Sequence, residues 1–303
     1  MSRVNRRAFS RMSPGEIAFE VFNAIFMLCV VVMTVYPFLN VLALSLNDSL
    51  DTVKGGIHIW PRQFTLENYK TIFGYETLII GARNSVLRTI IGTILSVFCC
   101  SMIAYTLSRK DFQLRKFFSV FLALTMYLSA GLIPGYMLIR HLGMINTFWV
   151  YIIPGIVSAW NVFIIRSFMD NLPYALQESA KLDGANDFTI YARIILPLCK
   201  PVLATVALFV AVGQWNSWFD NYLYNSSKIQ LTTLQYELQK ILQSTTVSQT
   251  APRGTSVLEN MARVSPQSVK MAITIVVTVP ILMVYPFLQK YFVKGMTLGA
   301  VKA

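Results

Sequence analysis

Residues 169–200 read MDNLPYALQESAKLDGANDFTIYARIILPLCK, a polar and charged stretch set between two long apolar runs. Two short helices are predicted inside it. Leu172, Ala175, Leu176, Ser179 and Ala180 recur at the i, i+3, i+4, i+7, i+8 spacing of one helical face. Pro173 suits a first helical position, where a missing N–H costs nothing. Asp183-Gly184 reads as a stop, because glycine adopts the left-handed conformation that ends helices without a Cβ penalty. Asn186 or Asp187 can cap a second helix, with Phe188, Tyr191, Ala192 and Ile195 as its apolar face. Pro197 and Pro201 then break the pattern before the next apolar run. The expected product is a helix–turn–helix elbow. Its exposed element carries the small side chains Ala175, Ser179 and Ala180, over which a partner's backbone could come close.

The apolar runs on either side decide the fold class. Of 303 residues, 55% are hydrophobic and 13% charged, against about 25% charged in soluble proteins. A bilayer core of roughly 30 Å takes about 20 apolar residues as a helix. The stretches long enough are Val21–Leu46, Leu78–Leu107, Phe117–Ile139, Phe148–Phe168, Val202–Tyr222 and Met271–Phe292. Their length and lack of strict alternation favour helices over barrel strands. The expectation is an all-α polytopic membrane protein with six transmembrane helices. Residues 1–20 form a cytoplasmic N-terminal segment and 21–303 the membrane domain, with the elbow 169–200 inside and a long loop 225–269 outside.

The net charge of +12 follows the same topology. With the N-terminus inside, inner segments hold Arg3, Arg6, Arg7 and Arg11, then Arg109, Lys110, Arg115 and Lys116. They also hold Arg166, Lys181, Arg193 and Lys200, and finally Lys290, Lys294 and Lys302. This positive-inside bias places both termini in the cytoplasm. It accounts for the charge without nucleic acid, and no basic patch interleaved with aromatics argues otherwise. The first run is too long for a signal-peptide core and is read as a retained span. Cys29, Cys99, Cys100 and Cys199 have neither metal spacing nor an oxidising location, so no disulfide or metal site is expected.

No G-x-x-x-x-G-K-[ST] phosphate loop is present, so ATP is not expected to bind here by that route. His58 and His141 read as ordinary loop residues. Without a nucleophile–base arrangement or a carboxylate pair, the chain is not expected to be an enzyme. A membrane enzyme acting on lipid-linked sugars, the competing class, would need such a cluster. Spans two to six show no acidic residue at mid-membrane depth, which argues against an ion-coupled carrier. In the outer loop, Leu231, Leu234, Leu238, Ile241 and Leu242 repeat with helical spacing. That segment reads as an amphipathic helix near the outer surface or as a solvated loop.

The elbow resembles the EAA motif of binding-protein-dependent ABC importer permeases. Glu178-Ser179-Ala180, three residues, Gly184, nine residues and Ile194-Ile195-Leu196-Pro197 keep that motif's spacing, with Ser179 as the one departure. Gly131-Leu132-Ile133-Pro134, Gly143 to Thr147, Trp160-Asn161, Arg166-Ser167-Phe168, Trp215-Asn216 and the tail from Gln289 are similar to maltose-type (MalG-like) sugar permeases. The likeness runs from about Glu16 to the end. The wording from Leu176 to Asn186 looks most like permeases for acidic saccharides such as oligouronides or alginate. The resemblance implies the type I ABC importer permease fold and alternating access. It also implies a related second permease, two ATPase subunits that hold ATP and Mg, an outer solute-binding protein, and a bacterial inner membrane. No cofactor would bind this chain. By the same resemblance Glu178, Ser179, Ala180, Asp183, Gly184 and Ala185 would dock on the ATPase.

For a sugar path, aromatic faces and amides are the useful groups. Trp160, Asn161, Trp215, Asn216, Trp218, Asn221 and Tyr222 are the candidates. Each aromatic has a second reading as an interface anchor, whereas an amide inside a span needs a partner or a wet cavity. Arg83, Arg88 and Arg140 are the basic groups an acidic polymer could meet. Each has a second reading too, as a side chain snorkelling to a headgroup. A permease for a peptide, phosphate or metal would share the same elbow.

Overall fold

The computed structural model describes residues 13–247 and 267–283. The chain divides into two compact units. One comprises residues 13–72 and 267–275, the other 73–247 and 276–283. Among the described residues the structure is helical, with a single isolated bridge between Asn47 and Phe64.

In the first unit, α1 (Pro14–Ser45) begins earlier than the apolar run predicts. A Ser-Pro-Gly-Glu capping box sets its start: the Ser13 amide donates to Glu16 Oε2 at 2.7 Å and the Glu16 amide to Ser13 Oγ at 3.4 Å. Its apolar side chains are exposed all round, as suits a helix whose solvent is lipid. Two short helices follow, α2 (Ser49–Val53) and α3 (Glu67–Phe73). A buried amide, Asn47, ties this outer segment together by donating to Asp51 and Thr52 and accepting from the Gln63 amide.

The second unit is organised on α4 (Glu76–Ser108), a 33-residue helix long and apolar enough to cross a bilayer unbroken. Three of the remaining predicted spans are interrupted helices, so the count of six is inexact. Among the described residues two helices qualify alone, and up to five spans result if each bent pair counts as one. The expected span Phe117–Ile139 is split into α5 (Arg115–Tyr127) and α6 (Leu132–His141), bent by 117°. Gly131 between them sits at φ +85° and ψ 179°, an extended mirror-image conformation that glycine adopts freely and a helix cannot contain. The expected span Phe148–Phe168 begins as 3₁₀ turns over Phe148–Gly155 around Pro154 and bends 50° into α7 (Ala159–Met169). Ser158 caps α7 through its hydroxyl.

The elbow supplies α8 (Ala175–Leu182) and α9 (Asp187–Leu198), and α9 meets α10 (Lys200–Asn216) at 82°. Within α9, Tyr191–Ile195 is a π turn, and the Leu196 amide reaches back to the Tyr191 carbonyl. Pro197 follows at once; lacking an N–H, it cannot restore the regular ladder. In the loop 225–269, α11 (Leu234–Val247) answers the amphipathic spacing as a helix. It is packed on α4 instead of lying free, with Leu234 and Leu238 buried. The last described helix is α12 (Gln267–Met283). The expected sixth span, Met271–Phe292, extends beyond the described residues, as do most of residues 1–20 and part of the loop 225–269.

Candidate functional site

The elbow's turn is a helix stop built from backbone geometry. Gly184 lies at φ +78°, its amide donating to the Lys181 carbonyl at 3.0 Å and the next amide, Ala185, to Ala180 at 2.9 Å. This 5→2 and 6→1 pair is the Schellman arrangement. A Cβ added at Gly184 would meet no atom within 4 Å, so the requirement for glycine is conformational, not steric. Asn186 then caps α9, accepting from the Thr189 amide at 2.8 Å. Pro173 stands ahead of α8, not at its first position.

The faces of α8 divide differently from expectation. Ala175, Glu178, Ser179 and Leu182 form one exposed stripe. Ala180 turns inward, 7% exposed, onto a core of Cys100, Ala104, Ile165, Ile190, Tyr191 and Ile195, against which half-buried Ala185 also packs. The small residues of the motif therefore do two jobs: Ser179 keeps the outer stripe low, whereas Ala180 and Ala185 let the elbow sit close on the bundle. Asp183 and Gly184 are exposed. Leu182 is 89% exposed and Phe188 62%, leaving two large apolar side chains uncovered on the elbow. Phe188 was expected on the inward face. Leu182 falls at i+3 and i+4 from Ser179 and Glu178, the spacing that would have placed it on the outer stripe.

Ion pairs clasp the elbow to the turn after α4. Arg109 bonds Asp111 through two nitrogens, at 2.5 and 2.9 Å, and Asp187 at 2.5 Å. Lys181 reaches Asp111 at 2.9 Å. Hydrogen bonds from Arg109, then Lys181, hold the Asp111 carboxyl well below the usual carboxylate range, and Asp111 in turn raises Lys181.

At the outer end the path candidates scatter. Asn221 is fully buried and donates to the Leu231 carbonyl at 3.0 Å and to the Tyr151 hydroxyl. Trp215 is half-buried, donates to the Val277 carbonyl at 3.0 Å, and lines an apolar groove of about 170 Å³ with Ile90, Leu208 and Ile281. Asn161 is buried in the first turn of α7 beside exposed Trp160, and Asn216 is exposed at the end of α10. Only Trp218 and Tyr222 come together, ring centroids 6.3 Å apart, with Tyr236 of α11 6.4 Å beyond Tyr222.

Arg88, counted from sequence among the groups open to an acidic polymer, is instead 2% exposed and spoken for. Its guanidinium bonds both carboxylate oxygens of Asp220, at 3.2 and 2.5 Å, and Gln214 Oε1 at 3.1 Å. It also lies 4.5 Å from the centre of the Tyr151 ring. The sequence signal for this pair is Asp220 itself, an acid at the end of a predicted span. Arg83 and Arg140 remain exposed.

The sequence matches the family of binding-protein-dependent transport system inner membrane components over residues 78–298. The chain belongs to that family. As a transport permease it is a membrane subunit and not an enzyme. It is 36% identical over 288 residues to the protein LplC of Bacillus subtilis (strain 168), covering 94% of this chain and 95% of that one. It is 36% identical over 280 residues to the polygalacturonan/rhamnogalacturonan transport system permease YtcP of the same organism, covering 91% and 96%. The permease's fold is similar to a chain in the solved structure of a bacterial ABC transporter involved in importing the acidic polysaccharide alginate. There the TM-score is 0.85 at 24% identity, over 93% of this chain and 99% of that one.

Proposed function

We propose that this permease forms the path by which a carbohydrate, an oligosaccharide of acidic type, crosses a bacterial inner membrane into the cell. A solute-binding protein delivers it outside, a related second permease completes the path, and two ATPase subunits holding ATP and Mg drive it from the cytoplasm. Both termini face that side. The polygalacturonan/rhamnogalacturonan transport system permease YtcP, 36% identical to this chain, supports the choice of solute. Trp218, Tyr222 and Tyr236 offer ring faces for stacking. Asn221 and Trp215, engaged with the chain's own carbonyls, hold the wall instead of touching solute.

The observation that carries the coupling role is the exposed stripe Ala175, Glu178, Ser179, Leu182 on a helix whose other face is locked to the bundle. An ATPase that fits this stripe differently when open and when closed biases the permease between outward and inward access. Replacing Gly184 by valine forces a branched side chain into a left-handed turn, a strain of about 1–2 kcal/mol, and re-aims α8. In the reconstituted importer, Gly184→Val is expected to keep its subunits together and lose most ATP-driven uptake. Normal uptake by the assembled variant would falsify the coupling role.

A further inference from the structure

We propose that the cytoplasmic turn 109–115 is a cradle that ties the elbow to α4, so that motion of the elbow reaches this helix through side chains as well as along the main chain. The inference rests on the elbow being the coupling element and adds the residues that position it. The elbow's entry, its α8 and the first residue of α9 each have a partner in the turn. At its entry, Asp170 Oδ2 lies 3.5 Å from Arg115, and the Tyr174 ring centre lies 5.3 Å from the Lys110 ammonium. In the coupling helix α8, Lys181 pairs with Asp111 at 2.9 Å. In α9, Asp187 pairs with Arg109 at 2.5 Å.

Arg109 is the centre of this arrangement. It follows directly on the last residue of α4, is 7% exposed, and bonds the Tyr105 hydroxyl at 2.9 Å one helical turn back. Its guanidinium spans Asp111 in the turn and Asp187 in the elbow, and the two-pronged bond to Asp111 fixes orientation as well as distance. Isolated surface pairs contribute little; here four contacts converge on one short turn and one guanidinium is held on three sides. The main-chain route from the elbow into the membrane passes an 82° corner between α9 and α10. The cradle bypasses that corner and delivers the elbow's displacement to the helix on which the second unit is organised. Arg109 and Asp111 are positioning residues, since nothing requires them to touch solute or ATPase.

The test uses the whole importer in proteoliposomes with its binding protein, measuring solute imported and ATP hydrolysed together. Asp111→Asn keeps the size of the side chain and removes the charge that holds Lys181 and Arg109. The expected result is an assembled complex that hydrolyses ATP at its ordinary rate and imports about five- to tenfold less solute per ATP. Asp111→Glu, which keeps the charge, is expected to restore most of the yield. Lys181→Met repeats the test from the exposed side of the pair if Asp111→Asn does not assemble. Yield per ATP within about twofold of the parent in an assembled variant overturns the cradle. So does an Asp111→Glu variant no better than Asp111→Asn. If Gly184→Val uncouples and Asp111→Asn does not, the cradle fails alone; if neither does, the elbow's coupling role fails with it.

Discussion

Two arginines, one in the first half of α4 and one just past its last residue, are held in opposite ways. Arg88, in the outer half, is 2% exposed and faces an aspartate that is itself only 21% exposed. Around it Gln214, the Ser217 carbonyl and the Tyr151 ring close every side. Arg109, at the inner end, is almost as buried, but its carboxylate partners are 45% and 67% exposed. The first is a weld: separating it would strand a largely buried charge without its counter-ion. The second is a clasp: its carboxylates stand partly in water, and it holds by several contacts on one guanidinium instead of by burial of both partners. A transporter that must move at one end while keeping its wall intact at the other has use for both.

The sharpest way to break this comparison is to remove each arginine's function in turn. Arg88→Leu leaves Asp220 with the Asn221 amide in place of its counter-ion and is expected to cost about 3–5 kcal/mol, seen as a large drop in detergent melting temperature or in recoverable protein. Arg88→Leu with Asp220→Leu should regain the greater part, because a well-packed apolar pair replaces the ion pair without leaving a stranded charge. If the double variant melts no higher than the single one, the weld is not an isolated pair.

A smaller effect is expected at Gly81, also on the outer half of α4. An added Cβ there would stand 3.0 Å from the Leu234 amide nitrogen and 3.1 Å from the Thr233 carbonyl carbon, both backbone atoms. Gly81→Ala must push α11 off α4, at about 1–3 kcal/mol. A melting temperature equal to the parent's would show that this contact yields freely.

The smallest effect belongs to the clasp and pH. Asp111 has its carboxyl lowered, so its stabilisation is present above the ordinary aspartate value and lost as pH falls through its folded value. Lys181 is raised, so its share is present below the ordinary lysine value and lost as pH rises through its folded one. The clasp is therefore closed throughout the window between, and solute imported per ATP should be flat from about pH 5 to 9. A slope there that vanishes in Asp111→Asn would mean that the pair titrates within the working range.

Much of the inner end was legible in sequence because its signals are local. Gly184, Asn186 and the apolar spacing each act within one or two turns, and the elbow formed as they indicate. Helix spacing could not say which face would meet the bundle and which would stay open. Leu182 and Phe188 are exposed while Ala180 is buried, an outcome set by what α4 and α7 bring alongside. The outer end depends on distant pairings. Arg88 and Asp220 are 132 residues apart, and Asn84 meets the Gln230 and Thr232 carbonyls across nearly 150; no period or spacing links such partners. The count of spans is inexact for a related reason. An apolar run of sufficient length states what the segment dissolves in, but Gly131 and Pro154 decide whether the helix continues.

The break between α5 and α6 carries a further demand. α5 has 13 residues and so rises about 20 Å, which stops the helix inside a hydrocarbon layer of roughly 30 Å. Its last carbonyls and the first amides of α6 find no mates along their own helices. Tyr127, Leu128 and Ile133 beside them are 85%, 72% and 75% exposed. Acyl chains offer nothing to those dipoles. The kink is therefore an uninsulated joint, and in the working membrane it needs either a neighbouring polypeptide or the wet channel itself laid against it.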